Sequence, residues 1–546
     1  MINLDRCSYC MAVLCYRISL YLLKKTNWYL RIFFCMKLKI YSLMAAFSLL
    51  ILQSCCNEHD IYYIDSVSGS DSNSGLSPDE SWKSFKNVND IRLNPGDKLL
   101  LKRGGVYNGV LELSAKGTQQ NRITVGAYGE SGKNPCIVGH DTSMYAMRIF
   151  NSEYVTVRDL EIVNKGREPL PMRTGLKIEC SNYGVSKGIT VDNITVRDVN
   201  GSRVKELGGG SGILIVNSGD EIKSRFDSLI IENSHILRCE RNAMIWSGYY
   251  DRNNWFPNKH IIVRNNLIEG VPGDGIVPIG CDSTLIEYNV MRDCPDVLPM
   301  TEAAAGFWPW SCDNTVIQYN SVSDHKAPWD AQGFDSDYNC NNTVIQYNYS
   351  HDNYGGMVLV CNSGNAGNYS IGNNNSIVRY NISIGDGIRP KETRAGMFSP
   401  SIHIAGPVEN TLIEKNIIHS NHRGDDRVDR SMIVSDSWDG YADNTTFRKN
   451  IFYSADKGDF NLTESTNNVF DSNWFIGEYE SYPKDDNACM VSDVYKRQIL
   501  DCGSNGYTGL QKLMSERNIC GMKFFFVDKN KIENFFEEME GSPVKD

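Results

Sequence analysis

The sequence predicts an all-β protein: a parallel β-helix, a single-stranded solenoid, with an N-terminal capping helix. Three observations carry that prediction. The hexapeptide Thr-Val-Ile-Gln-Tyr-Asn occurs twice, at 315–320 and 343–348, with looser copies at 284–289, 376–381, 411–416 and 445–450. The marker residues Asn266, Asn289, Asn320, Asn348, Asn381, Asn416 and Asn450 stand 23 to 35 residues apart. A short minimum unit with a variable excess is how a solenoid rung behaves when insertions leave it on one side. Helical periodicity is nearly absent between residues 150 and 475, which excludes most other repeat architectures.

Each copy reads as a strand and a turn. In Val316-Ile-Gln-Tyr-Asn320, β-branched and aromatic residues suit the strand and Asn suits the turn. A second strand, opened by a small residue, follows in most units: 243–248, 275–280, 306–311, 333–338 and 356–361. A sandwich does not repeat one phrase per rung, and a propeller blade needs a longer, constant period.

Ahead of the repeats, Ile61-Tyr-Tyr-Ile-Asp65 is a strand followed by a Gly/Ser/Asp/Asn loop to Gly75. Residues 78–91 place Trp82, Phe85, Val88 and Ile91 on one helical face, which predicts the capping helix. Pro95-Gly-Asp-Lys-Leu-Leu-Leu-Lys-Arg-Gly104 is a turn into a buried strand. These segments predict a β-helix domain over 60–480, preceded by 1–54 and followed by 481–546.

The chain has 546 residues and a net charge of −11, with no basic patch, so a nucleic-acid partner is not expected. Met36-Lys-Leu-Lys39 and the apolar run 40–52 form a signal segment too short for a membrane span. Leu52-Gln-Ser-Cys55 resembles a bacterial lipobox, which implies lipidation of Cys55 and anchoring in the cell envelope. Residues 1–35 read as an upstream extension before an internal start at Met36. Seventeen cysteines fit no zinc spacing, and Cys281, Cys312 and Cys361 predict a buried thiol ladder. From about Ser492 the repeat is lost, although 524–540 has the composition of a short helix.

The opening strand and loop, the Trp82-Lys-Ser84 segment and the Pro95–Gly104 turn together resemble the pectate-lyase-like superfamily of right-handed parallel β-helix proteins. With the later rungs, the resemblance covers about residues 60–480. It implies a secreted or surface carbohydrate-active lipoprotein acting on a polysaccharide or oligosaccharide, and a monomer is expected.

The repeat also serves as a ruler. Aligned from their opening small residues, the second strands put Asp335 and Asp337 on one face, with Phe334 and Ser336 opposite. A charged pair facing the core is prohibitively costly, so the aspartates are expected outside. Trp308 and Trp310 then fall one rung earlier on the same face, about 4.8 Å away. Two carboxylates beside aromatic rings are a carbohydrate site. Two positions along a strand separate the Asp Cα atoms by roughly 6.6 Å. Glycosidase carboxylates lie about 5–5.5 Å apart for retention and about 6.5–9.5 Å for inversion. Glu302, Asp330 and His351 compete as catalytic groups, and Asp274 falls in a Gly-Asp-Gly-Ile phrase that the turn itself can explain. Trp329, His325, Arg389 and Lys391 are further candidates for substrate contact.

The leading reading is a glycoside hydrolase needing no cofactor, although an Asp-x-Asp strand is also a Ca²⁺ ligand pattern. A polysaccharide lyase is the alternative, with Arg389, Lys391 and Arg394 meeting a uronate carboxylate. In one pectate lyase branch, a Lys stands where this chain has Asp337, which argues against that mechanism. A non-catalytic glycan-binding lipoprotein is the third reading.

Overall fold

A computed structural model describes residue 37, residues 59–490 apart from 131, 366–369, 388, 394–395, 421–426 and 428–429, and residues 526–541. The lipobox with Cys55, the run 40–52, Arg394 and all of 491–525 lie outside the described residues. Among the described residues, no helix is long and apolar enough to cross a membrane.

The described residues from 60 onward form one compact unit. It is a right-handed parallel β-helix of three sheets, each strand pairing with its equivalent in the next coil. The first sheet carries the repeat phrase and has 15 strands, starting at Ile61–Ile64 and ending at Val469–Asp471. The pairings Val316↔Val344 and Val344↔Ile377 put equivalent positions of successive copies side by side. The second sheet follows the Asn turn and includes Ser321–Ser323 and Tyr349–His351. The third contains Phe334–Ser336, Val358–Cys361 and Ile402–Ala405. Residues such as Ile317, Val322, Phe334 and Ile345 point inward and build one continuous apolar core.

The marker asparagines do more than tolerate a turn. Their side chains stack inside the coil, each Nδ2 donating to the next Oδ1: Asn320 to Asn348, Asn348 to Asn381 and Asn381 to Asn416, all at 3.0 Å. Each next Oδ1 also accepts the backbone N–H of the preceding Asn. The ladder ends on the carboxylate of Asp485, which accepts from Asn473 at 2.9 Å. Only a side chain with an acceptor and a donor on one planar group can pass the bond along. The left-handed backbone falls instead on the residue before each Asn, with φ 53° at Tyr319 and 56° at Tyr347.

Those same tyrosines point outward and stack. Tyr288, Tyr319, Tyr347 and Tyr380 follow one another with ring centroids 5.0–5.2 Å apart. The helix Lys529–Gly541 lies against this stripe. Tyr347 donates its hydroxyl to Glu533 at 2.6 Å, and Phe536 meets Tyr380 edge-on. The helix expected within 524–540 is therefore present, and it covers an outer apolar stripe.

The expected capping helix over 78–91 takes a different form. Two 3₁₀ turns, Pro78–Glu80 and Val88–Asp90, replace it. Asp71 captures the N–H groups of Lys83 and Ser84, and Trp82 donates its N–H to Tyr63, so helical bonding cannot propagate. Trp82, Phe85 and Val88 are buried nonetheless and close the end of the coil. The thiol ladder is also corrected in one member. Cys281, Cys312 and Cys340 occupy successive rungs, whereas Cys361 lies elsewhere.

Candidate active site

The third sheet places the aspartates where the ruler put them. The bridge Phe307↔Phe334 aligns Trp308 with Asp335, and Ile279↔Trp310 continues the same register. Phe334 and Ser336 are fully buried inside, and Ser336 bonds Ser376 at 3.0 Å. Asp335 and Asp337 face outward, into a cleft of about 420 Å³.

Insertions wall that cleft. Ala303–Ala304 and Trp329–Asp330 form a two-stranded parallel sheet that brings Asp330 over the strand bearing Asp335 and Asp337. Asp330 and Ala331 both lie in the left-handed region, at φ 60° and 65°. Such conformations persist only where surroundings impose them. Here Ala331 is packed without exposure, and Arg389 donates to the carbonyls of Ala327, Pro328 and Asp330 at 3.2, 2.6 and 3.0 Å. Trp308, Trp310, Trp329 and Trp438 supply aromatic surface, and Tyr250 stacks on Trp310 at 5.0 Å.

Four aspartates line this space with one lysine, Lys205, and their environments drive them apart. Burial, then Asp337 and Asp274, push the Asp330 carboxyl up to about 7. Burial and the charges of Asp330, Asp337 and Asp274 hold Asp335 well above the usual carboxylate range. Its Oδ1 has no protein partner. Burial raises Asp337 too, but the Tyr338 N–H, the Cys361 thiol and Lys205 oppose that rise. Asp274 is the exception. Burial opposes its ionisation, yet Arg241, Lys205 and the Ala305 N–H outweigh it and keep the carboxyl below its ordinary value.

The structure removes several expected residues from the cleft. Glu302 binds buried Arg241 at 3.2 Å and the N–H of Lys205 at 2.9 Å, so it braces the wall. His351 belongs to the second sheet, stacked on Tyr349 and bonded to Asp352 at 2.8 Å. His325 is fully buried, with Nε2 against the carbonyl of Gly273. Arg389 clamps the backbone under Asp330, and Lys391 pairs with Asp296 at 2.6 Å. None of these five is among the residues lining the cleft. In each case charge or ring was legible in the sequence, but its intramolecular partner was not.

Residues that sequence reading missed are Lys205, Tyr338, Cys361 and Trp438, all in the lining. Lys205 Nζ lies 5.4 Å from the Trp308 ring, and Trp438 meets Tyr338 and His403 edge-on. A smaller side pocket behind Trp329 and Asp330 is lined by Gln332, Arg389, Phe398 and His403. Among the described residues, no cluster of three or more His, Cys, Asp or Glu is arranged to hold a metal ion.

A parallel β-helix whose outer face carries paired carboxyls between tryptophans is the arrangement of a carbohydrate-active enzyme. No family model matches the chain. It is 26% identical to the lacto-N-biosidase of Bifidobacterium longum subsp. longum, over 60% of this chain and 26% of that protein. The chain thus spans about a quarter of the length of that curated relative. The solved GH136 lacto-N-biosidase of Eubacterium ramulus is 25% identical, with a TM-score of 0.57, covering 80% of this chain and 70% of that one. Its selenomethionine derivative matches at 24% identity and a TM-score of 0.56. Cleft and likeness together support a glycoside hydrolase.

Proposed function

We propose that the protein is a glycoside hydrolase that releases a short sugar unit, of the lacto-N-biose kind, from an oligosaccharide. One observation carries the assignment of roles: burial and the neighbouring Asp337 hold Asp330 at about 7, in a cleft it shares with a carboxylate supplied with donors. Carboxyls whose surroundings push them apart are the acid and base of glycosidases. Asp330 is the general acid. It gives its proton to the glycosidic oxygen as the C–O bond breaks. Asp337 is the carboxylate that faces the developing positive charge at the anomeric carbon, as nucleophile or as base for water. Asp335, whose carboxyl is pushed well above the usual range by burial and its neighbours, lies beside them and contacts substrate or Asp337. The pair that the strand alternation points to, Asp335 and Asp337, thus gives way to Asp330 and Asp337 as the reacting carboxyls.

The size of the cleft supports a small ligand, since it lies near the lower end of the about 300–1,000 Å³ usual for such sites. Trp310, Trp329 and Trp438 are the sugar-stacking surfaces. The lyase reading is less favoured because Arg389 and Lys391, its cationic candidates, are engaged with backbone carbonyls and Asp296.

The test is digestion of a panel of lacto-N-biose-terminated, other neutral and uronate glycans, with products resolved by mass spectrometry and anomers by NMR. Release of a saturated disaccharide that is abolished in Asp330→Asn and Asp337→Asn supports the reading. An unsaturated uronate product would replace it with a lyase, and binding without release would leave a glycan-binding protein. We also propose a lipid anchor on Cys55; metabolic labelling with a fatty acid, lost in Cys55→Ala, tests it.

A further inference from the structure

We propose that Cys361 is a positioning residue: its thiol donates to Asp337 Oδ1 and so aims the other carboxylate oxygen at the reacting carbon. This rests on the role given to Asp337 above. The third sheet pairs Asp335 with Leu359 and Ser336 with Val360, which puts Cys361 beside Asp337 in the next coil. The Sγ–Oδ1 distance is 3.2 Å. The backbone N–H of Tyr338 reaches the same Oδ1 at 2.6 Å. Two donors on one oxygen fix the carboxylate plane and leave Oδ2 for substrate.

The thiol suits that task because it stays protonated. It is 1% exposed. Burial and the charges of Asp337, Asp335 and Asp330 push its pKa far up, so it is a donor and an inert nucleophile. It also stands apart from the structural thiols. Cys312 and Cys340 bond backbone carbonyls within the coil, at Pro278 and Pro309, whereas Cys361 bonds a cleft carboxylate.

The groups facing Asp337 are Asp330, Asp335 and Asp274, Tyr338, Cys361 and the cation Lys205. Removing one donor from Asp337 makes its ionisation harder. The acid limb of kcat should therefore move to higher pH in Cys361→Ala, with kcat down about tenfold and KM little changed. Cys361→Ser keeps a hydroxyl donor at the same place. It should restore both kcat and the acid limb.

The experiment has two arms. The first measures kcat and KM against pH for wild type, Cys361→Ala and Cys361→Ser, with melting temperatures. The second reads the infrared S–H stretch of Cys361, isolated as the difference between wild type and Cys361→Ala. The proposal predicts a band lowered by hydrogen bonding that shifts toward the free-thiol position in Asp337→Leu and Asp337→Ala. An unchanged band in those variants overturns it. So does a Cys361→Ala enzyme with an unmoved acid limb, or equal loss in Ala and Ser variants accompanied by lower melting temperatures. The infrared arm needs no turnover. If wild type releases no sugar from any glycan, the hydrolase reading fails while the S–H band still decides the Cys361–Asp337 contact.

Discussion

The indole Nε1 of Trp308 donates to Oδ1 of Asp274 at 3.1 Å, and the other oxygen of that carboxylate is paired with the fully buried guanidinium of Arg241. Asp274 thus ties the floor of the cleft to its wall. Replacing it with Ala leaves Arg241 with Glu302 as its one remaining ion-pair partner. Breaking a buried pair on one side costs about 3–5 kcal/mol. Asp274→Ala is expected to lose that much in urea unfolding, and Asp274→Asn, which keeps an acceptor for Trp308, to lose less.

The pH dependence follows from Asp330. A general acid must hold its proton, so kcat should fall as pH rises through about 7. Asp330→Asn should remove that limb and lower kcat by about 10²–10⁴-fold, with a smaller loss on an activated aryl glycoside. Kinetics across pH 5–9 check it.

Stability should run in the same direction. The folded Asp330 carboxyl titrates at about 7 and the unfolded one near its ordinary value of 3.8. Between those values the folded state holds the extra proton, so stability declines as pH rises from about 4 to about 7. Asp330→Asn should flatten that decline and raise the melting temperature at pH 8 relative to wild type.

In the asparagine ladder, Asn348→Ala removes the acceptor of Asn320 and the donor to Asn381 and to the Ile317 carbonyl. Each buried group left unpaired costs about 1–3 kcal/mol. A loss of about 3 kcal/mol or more in denaturant unfolding is expected, with the KM of the remaining folded enzyme unchanged.

Trp438 reaches the cleft from a strand end about a hundred residues beyond Asp337. Trp438→Ala should raise KM roughly 5- to 30-fold, a loss of about 1–2 kcal/mol in stacking. An unchanged KM for the oligosaccharide substrate would place the sugar on Trp310 and Trp329 alone.

How much of this was legible in the sequence depends on the range of the interaction. The alternation around Phe334-Asp-Ser-Asp337 revealed which side chains face outward, because a strand has a two-residue period. The register with Trp308 and Trp310 was legible because the rungs repeat. Asp330 stood only as one competing acid, since the insertion from 324 to 332 follows neither period. Its position depends on Arg389, 59 residues away, holding its carbonyl. Glu302, His351, His325 and Lys391 looked equally chemical, and their partners Arg241, Asp352, Gly273 and Asp296 made them structural.

The sequence by itself determined the parallel β-helix, its inward and outward faces, and the strand that carries two cleft aspartates. Those follow from local periodicity and from a repeat that fixes neighbours one coil apart. The tertiary structure alone decided which carboxyls share the cleft, which cations are already engaged, and that Lys205, Cys361 and Trp438 complete it. Such contacts join loops with no common period, and a carboxyl's ionisation is set by burial and charges that only the folded chain brings together.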